Sequence, residues 1–164
     1  MYIDESGFDS QLEIERGYSP KGVRCYGERN GACRERVSVI GALRGHELFA
    51  AMTFRGTCDR NVFEGWADLC FLEHIHAGDV VILDNARIHK SQFFVEQVAL
   101  KGARVLWLPL YSPDKNPIEK TWGTLKKSFR YIKQTLHDLH DALDYTIAKF
   151  MNRKNSQSGK QFCN

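Results

Sequence analysis

Three acidic residues stand where regular elements are expected to end or begin: Asp4 in "YIDESGF", Asp84 in "VILDNARIH" and Glu119 in "YSPDKNPIEKTWGTLK". Asp4 and Asp84 each close a short apolar run of the kind that forms a buried strand. Glu119 falls in the first turn of a predicted helix, and 34 residues separate it from Asp84. Phosphodiester cleavage needs an oxygen nucleophile made reactive and a leaving 3′-oxygen stabilised, and two divalent ions bridged by a shared carboxylate do both. Mg²⁺ and Mn²⁺ take hard oxygen ligands and keep waters or substrate oxygens in their remaining positions, so three carboxylates suffice. Asp4, Asp84 and Glu119 are therefore the predicted catalytic residues and metal ligands, with two Mg²⁺ ions as cofactor and Mn²⁺ as substitute. Two adjacent buried carboxylates repel, and their pKa values rise unless a cation occupies the gap.

Residues around this triad carry secondary expectations. Gly123 and Lys126 lie four and seven positions after Glu119, on one helical face. Gly123 would let a DNA backbone approach closely and Lys126 would meet a phosphate. Asn116 is a sound N-cap for the helix, and with Pro113 and Pro117 it fixes the loop that aims Glu119. Asn85 either holds the site by hydrogen bonds or turns the chain. Arg87 and His89 follow Asp84 closely enough to approach substrate, with His89 in a supporting role. Glu5 alternates away from Asp4 along a strand, which favours a salt bridge or loop role over metal binding. The pairs His74/His76 and His137/His140 have ligand-like spacing but no carboxylate or thiolate company, and read as surface residues. Asp9, Asp59 and Asp79 read as turn or cap residues.

The elements that must mount these residues follow from periodicity. Residues 1–4 begin a strand, and residues 17–36, rich in Gly and Arg, form a loop or irregular hairpin. Arg36–Leu43 and Glu47–Phe54 are β-rich runs joined by a short turn. From Asp59 as N-cap, Val62, Phe63, Trp66, Leu69, Cys70 and Leu72 recur at helical spacing until Gly78. Asp79–Asp84 is a continuous apolar run, as in a strand covered on both faces. Ser91 caps a helix through Leu100 that ends at Gly102. Ala103–Leu110 is the next strand. A helix from Asn116–Pro117 buries Ile118, Trp122, Leu125, Phe129 and Ile132. A last helix carries Leu136, Leu139, Leu143, Ile147 and Phe150 inward, with Asp138, Asp141 and Asp144 in water. The order predicts an α/β fold with a ribonuclease-H-like mixed β-sheet and helices on both faces, spanning residues 1–151, followed by a polar tail over 152–164. The first strand has three residues before Asp4 where strands usually run about five or six. That suggests the C-terminal part of a longer protein or one product of a split gene.

Composition sets the outer bounds. At 164 residues, 43% apolar and 26% charged, the chain is one globular domain with room for a core. No apolar stretch approaches the roughly 20 residues of a membrane span, and no signal-peptide pattern opens the chain. A cytoplasmic protein is expected, without membrane partners. The five cysteines are odd in number and scattered, which fits reduced thiols. Net charge is only +3, but residues 84–133 hold ten Lys/Arg against four acids, two of them in the triad. Such a basic surround favours a polyanionic substrate.

The three blocks "YIDESGF", "VILDNARIHK" and "LPLYSPDKNPIEKTWGTLKK" resemble the signature blocks of mariner-type transposases and their bacterial insertion-sequence relatives, members of the DDE superfamily. The resemblance runs from Tyr2 to about Phe150, and its last block is highly specific. Lys115 departs from it, at a position that is usually apolar in the "SPDLNPIE" form. The family's catalytic carboxylates map onto Asp4, Asp84 and Glu119. The resemblance implies a transposase that binds terminal inverted repeats, cuts both strands and joins the 3′ ends to target DNA. It also implies Mg²⁺ dependence, double-stranded DNA as partner and a homodimer in the working complex. The family's N-terminal helix-turn-helix region is missing from these residues, so an upstream DNA-binding half is expected in cis or in trans. Two rivals remain: another ribonuclease-H-like nuclease, or a truncated or domesticated remnant that binds DNA or partners and inhibits.

Overall fold

A computed structural model describes residues 1–10, 18–24, 35–109, 116–136 and 138–158. Five strands form one sheet: β1 (Tyr2–Asp9), β2 (Arg36–Arg44), β3 (Glu47–Arg55), β4 (Val80–Leu83) and β5 (Arg104–Trp107), in the order β3-β2-β1-β4-β5. β1, β2 and β3 pair antiparallel, whereas β4 lies parallel to β1 and β5 parallel to β4. Parallel neighbours need crossover connections, and here helices supply them. This is the mixed sheet expected from the sequence.

Helices cover both faces. α1 (Arg60–Trp66) and α2 (Gln92–Leu100) pack with Ile3, Ile40, Val81 and Leu83 on one side. α3 (Ile118–Ile132) and α4 (Leu139–Ser158) pack with Phe8, Val37, Val39 and Leu43 on the other. Alternation along each strand produces this division, because successive side chains point to opposite faces. Asp59 caps α1 through the Val62 N–H and Ser91 caps α2 through the Phe94 N–H, both as expected. Asp79 accepts from the His76 N–H and from Arg44, which secures the turn before β4.

Several expectations need correction. β1 does not close at Asp4 but runs eight residues, because residues 5–9 stay paired with β2 as far as Asp9 and Arg36. Only Tyr2 and Ile3 precede Asp4 in the strand, and its length comes from residues 5–9. The helix from Asp59 does not stay α-helical to Gly78. After Trp66 it passes through a π-helical turn (Ala67–Phe71) and a 3₁₀ turn (Leu72–His74). The wider turn shifts the inward face, so Phe71 is buried and Leu69 is 77% exposed. α4 runs past Met151 to Ser158, since no proline or glycine interrupts residues 152–158. Residues 110–115, with Pro113 and Lys115, lie outside the described residues, as do His137, Cys25, Cys33 and Cys163. The described Cys58 and Cys70 are free thiols, and burial pushes the Cys58 thiol up to about 12.

One irregularity bears on the site. Ile40 pairs with Met52 but Ala42 pairs with Phe49, so β3 carries a bulge opposite Gly41. Ala50 takes a positive φ of 49° there, uncommon for a residue with a side chain. The Trp66 indole donates to the Ala50 carbonyl at 2.6 Å and holds the bulge from the α1 side. Gly41 itself is the partner of Asp4 across the β1–β2 ladder.

Candidate active site

The parallel register of β1 and β4 decides where the first two carboxylates sit. Tyr2 pairs with Ile82, and the Ile82 N–H donates to the Met1 carbonyl at 2.8 Å. Two residues further along each chain stand Asp4 and Asp84, and the strands β1 and β4 that lead to them neighbour each other at about 4.8 Å. Asp4 lies inside β1 and Asp84 just beyond the end of β4, so Asp84 is the freer of the two, with 52% of its side chain exposed.

Glu119 arrives from the other side, in the first turn of α3. That turn begins with tight bonds, Glu119 N–H to the Asn116 carbonyl and Lys120 N–H to the Pro117 carbonyl, both 3.2 Å. Pro117 already has helical angles (φ −61°, ψ −22°) and occupies the cap position. The expected side-chain cap by Asn116 is therefore not made. Asn116 is buried, contributes its backbone carbonyl, and its Oδ1 has no hydrogen-bond partner among the described residues. The α3 stripe seats the helix as predicted: Ile118, Trp122, Leu125 and Phe129 are buried.

Electrostatics tie Glu119 to Asp4. Burial, then the charges of Glu119 and Glu5, push the Asp4 carboxyl up to about 7, against the opposing help of the Glu5 N–H and the Trp122 indole. The indole Nε1 donates to Asp4 Oδ2 at 3.1 Å. Sequence periodicity placed Trp122 in an apolar stripe and missed this polar tip. Gly41 makes the approach possible, because a Cβ there would meet the Trp122 ring edge and the Leu48 methyl at 3.3 Å.

Asp84 is held differently. Its Oδ1 accepts from the Ala86 N–H at 2.9 Å, closing an Asx-type turn, and from His89 Nδ1 at 2.6 Å. His89 Nε2 in turn meets Glu5 Oε1 at 2.8 Å. The His89 bond, ahead of the Ala86 N–H and against the effect of burial, holds Asp84 below the usual carboxylate range. Burial works against a charged His89, yet the bonds to Asp84 and Glu5 and their charges outweigh it and push the imidazole up to about 10. Glu5 does form the expected salt bridge instead of joining the triad.

The remaining predicted residues divide. Asn85 Nδ2 donates to the Leu108 carbonyl at 2.6 Å and braces the chain beyond β4 against the chain beyond β5. Arg87 is exposed beside Asp84. Gly123 and Lys126 are exposed on the Glu119 side of α3, with Lys126 Nζ 5.9 Å from the Phe8 ring centre. A Cβ on Gly123 would meet nothing within 4 Å, and its φ is not positive, so neither packing nor backbone geometry calls for glycine. His74 and His76 lie away from the triad, near Glu73 and Asp79.

Among the described residues, no three His, Cys, Asp or Glu side chains come together as a group that could hold a metal ion. The donor chemistry nonetheless fits a hard cation. Asp4, Asp84 and Glu119 offer oxygen only, and a divalent ion at Asp4 and Glu119 would relieve the repulsion that raises the Asp4 pKa.

A profile of the DDE superfamily endonuclease family matches residues 1–142. No curated protein sequence matches the chain. Among solved structures, the simian T-cell lymphotropic virus intasome in complex with PP2A regulatory subunit B56 gamma aligns over 88% of this chain at 15% identity and a TM-score of 0.59. The Mos1 transposase paired-end complex with left transposon end aligns over 99% at 14% identity (TM-score 0.55), and the catalytic core domain of BIV integrase over 68% at 12% (TM-score 0.51). The matched regions are 45%, 56% and 72% of those chains, so this chain spans about half of the first and of the Mos1 protein. At such identities the likeness shows a shared fold, the ribonuclease-H-like arrangement. Among the described residues no helix is long and apolar enough to cross a membrane.

Proposed function

Because this chain belongs to the DDE superfamily endonuclease family, we propose that it is the catalytic domain of a DNA transposase, cutting and rejoining DNA strands at transposon ends. The observation that supports this reading is the β1–β4 pairing of Tyr2 with Ile82, two residues before Asp4 and Asp84 on each chain, together with the charge of Glu119 acting on the Asp4 carboxyl. The bound complexes of Mos1 with a transposon end support the same substrate class.

In this reading Asp4, Asp84 and Glu119 hold two Mg²⁺ ions, which Mn²⁺ can replace. When bound, the ions activate the attacking oxygen and stabilise the leaving 3′-oxygen. The protein's own work is positional. β1 would hold Asp4, the chain just past β4 would offer Asp84, and α3 would bring Glu119 on a rigid helix. In hydrolysis, water attacks the phosphorus and the 3′-oxygen leaves as a hydroxyl. In strand transfer that 3′-hydroxyl attacks a target phosphodiester, whose own 3′-oxygen leaves. Homodimer formation on DNA, and an upstream DNA-binding half in cis or in trans, belong to the same proposal. The catalytic unit would run from residue 1 into α4, which passes the 151 boundary expected from the sequence and ends at Ser158.

The test is nicking of supercoiled plasmid by the purified chain. Cleavage should need Mg²⁺ or Mn²⁺, stop with a chelator and return when the ion is restored. Cleavage that persists unchanged in excess chelator would overturn a metal-dependent mechanism.

The exposed face of α3 would meet the DNA backbone, with Gly123 giving room and Lys126 and Arg87 facing phosphates. A mid-helix glycine costs about 0.5–1 kcal/mol relative to alanine. Gly123→Ala should therefore raise thermal stability slightly while weakening DNA binding, two changes of opposite sign in one protein. Lys126→Ala should reduce the salt dependence of binding by about one phosphate contact. Fluorescence anisotropy across a salt series reads both effects; a Gly123→Ala protein that binds DNA as tightly as its parent would remove the helix face from the interface.

A further inference from the structure

The neighbouring acids of β1 have opposite fates. Asp4 points to the α3 face, whereas Glu5 points to the α1 face, where Ile3 is buried. From there Glu5 meets a histidine 84 positions away, itself bonded to the second acid of the triad. His89 is 1% exposed and its ring packs 5.0 Å from the Phe63 ring centre. Ionised carboxylate oxygens only accept hydrogen bonds, so both ring nitrogens must donate.

From this geometry we infer that Glu5, His89 and Asp84 form a clasp that positions Asp84 for the divalent ion, with His89 as the positioning residue. The clasp rests on the reading of Asp84 as a metal ligand. Two donors, the Ala86 N–H and His89 Nδ1, share Asp84 Oδ1. The carboxylate's rotation is thereby stopped and Oδ2 becomes the oxygen offered to the ion. Asp84 needs such a hold because it sits beyond the last paired residue of β4. The anchor is sound because Glu5 belongs to a strand paired along its whole length with β2. Outer partners that orient a metal ligand commonly change metal affinity about 10–100-fold when removed.

Two isosteric variants separate positioning from packing. In His89→Asn the side-chain amide reaches only as far as Nδ1, so the bond to Asp84 can persist while that to Glu5 is lost. In His89→Gln the amide reaches the Nε2 position, keeping Glu5 and releasing Asp84. Mn²⁺ binding followed by electron paramagnetic resonance should weaken about 10-fold or more in His89→Gln and much less in His89→Asn. Equal losses in the two, tracking their losses in melting temperature, would reduce His89 to a packing residue and overturn the proposal. A second readout needs no metal. Ring-nitrogen NMR of the metal-free protein should show both His89 nitrogens engaged in hydrogen bonds. Asp84→Asn should perturb the Nδ1 signal and Glu5→Gln the Nε2 signal. Ring signals that neither variant moves would contradict the clasp directly. If Asp84→Asn leaves Mn²⁺ affinity at the parental level, the metal reading of Asp84 fails and the positioning role with it, while the NMR signature still reports whether the clasp itself exists.

Discussion

Asp4→Asn should abolish metal-dependent strand cleavage and, in the same protein, raise the stability of the metal-free form. The first effect follows from removing one ligand of a site whose charge stabilisation is worth several kcal/mol, or about 10³-fold in rate. The second follows from the Asp4 carboxyl lying at about 7 in the fold against an ordinary 3.8. A group whose folded pKa is raised contributes stability that is complete below the unfolded pKa and lost as pH rises through the folded one. The metal-free parent should therefore lose stability between about pH 4 and pH 7 on account of Asp4. The shift corresponds to roughly 2–4 kcal/mol at pH 8, allowing for partial exposure. Asparagine keeps the oxygen that accepts from Trp122 but carries no charge to repel Glu119, so the variant should be free of this loss. Saturating Mg²⁺ should reverse the ranking, because the parent gains binding energy the variant cannot. Melting curves from pH 4 to 8, with and without Mg²⁺, read both parts. A metal-free Asp4→Asn protein less stable than its parent at pH 8 would show that Asp4 is not held against repulsion.

A second loss of stability belongs to His89 and occupies a different window. Its pKa, pushed up to about 10 from 6.5, makes its contribution complete below about pH 6.5 and lost as pH rises towards 10. Asp4→Asn should leave this upper limb intact, which distinguishes the two groups in one titration.

What the sequence disclosed about this site was mostly local. Asp59 and Ser91 announce helices one residue ahead, and the stripe from Ile118 to Phe129 gives α3 its inward face, because capping and amphipathicity act within a few turns. Even the division of Glu5 from Asp4 follows from strand alternation. What stayed hidden depends on pairings between distant segments. Glu5 finds His89 only once β4 lies parallel to β1 in the register of Tyr2 and Ile82. Asp4 looked like a strand end because its apolar run stops there; pairing with β2, not hydrophobicity, carries β1 on to Asp9. The π-helical turn that exposes Leu69 is likewise invisible to a fixed period of 3.6. The polar tip of Trp122 was missed for another reason. Apolar spacing explains the indole completely, so nothing in the pattern asks where its N–H goes.

That N–H leads to the largest expected effect on stability. Trp122 is 1% exposed among the buried side chains of α3, α4 and the sheet. Trp122→Ala should cost about 3–5 kcal/mol, the range for truncating a buried aromatic. In a domain of this size each kcal/mol lowers the melting temperature by about 2–4 °C. Trp122→Phe separates packing from polarity. It fills much of the space but removes the indole N–H that donates to Asp4, so the Asp4 pKa should rise further and cleavage should need a higher pH, more strongly than the modest fall in stability would explain. Gly41 supplies the control, since a Cβ there stands 3.3 Å from the Trp122 Cη2 atom. Gly41→Ala alone should cost roughly 1–3 kcal/mol by overpacking. Combined with Trp122→Phe, whose ring lacks that atom, it should cost clearly less than the sum of the two single changes. A double mutant whose losses merely add would mean that Gly41 is not there to admit the indole, and that the seat of Asp4 is built without it.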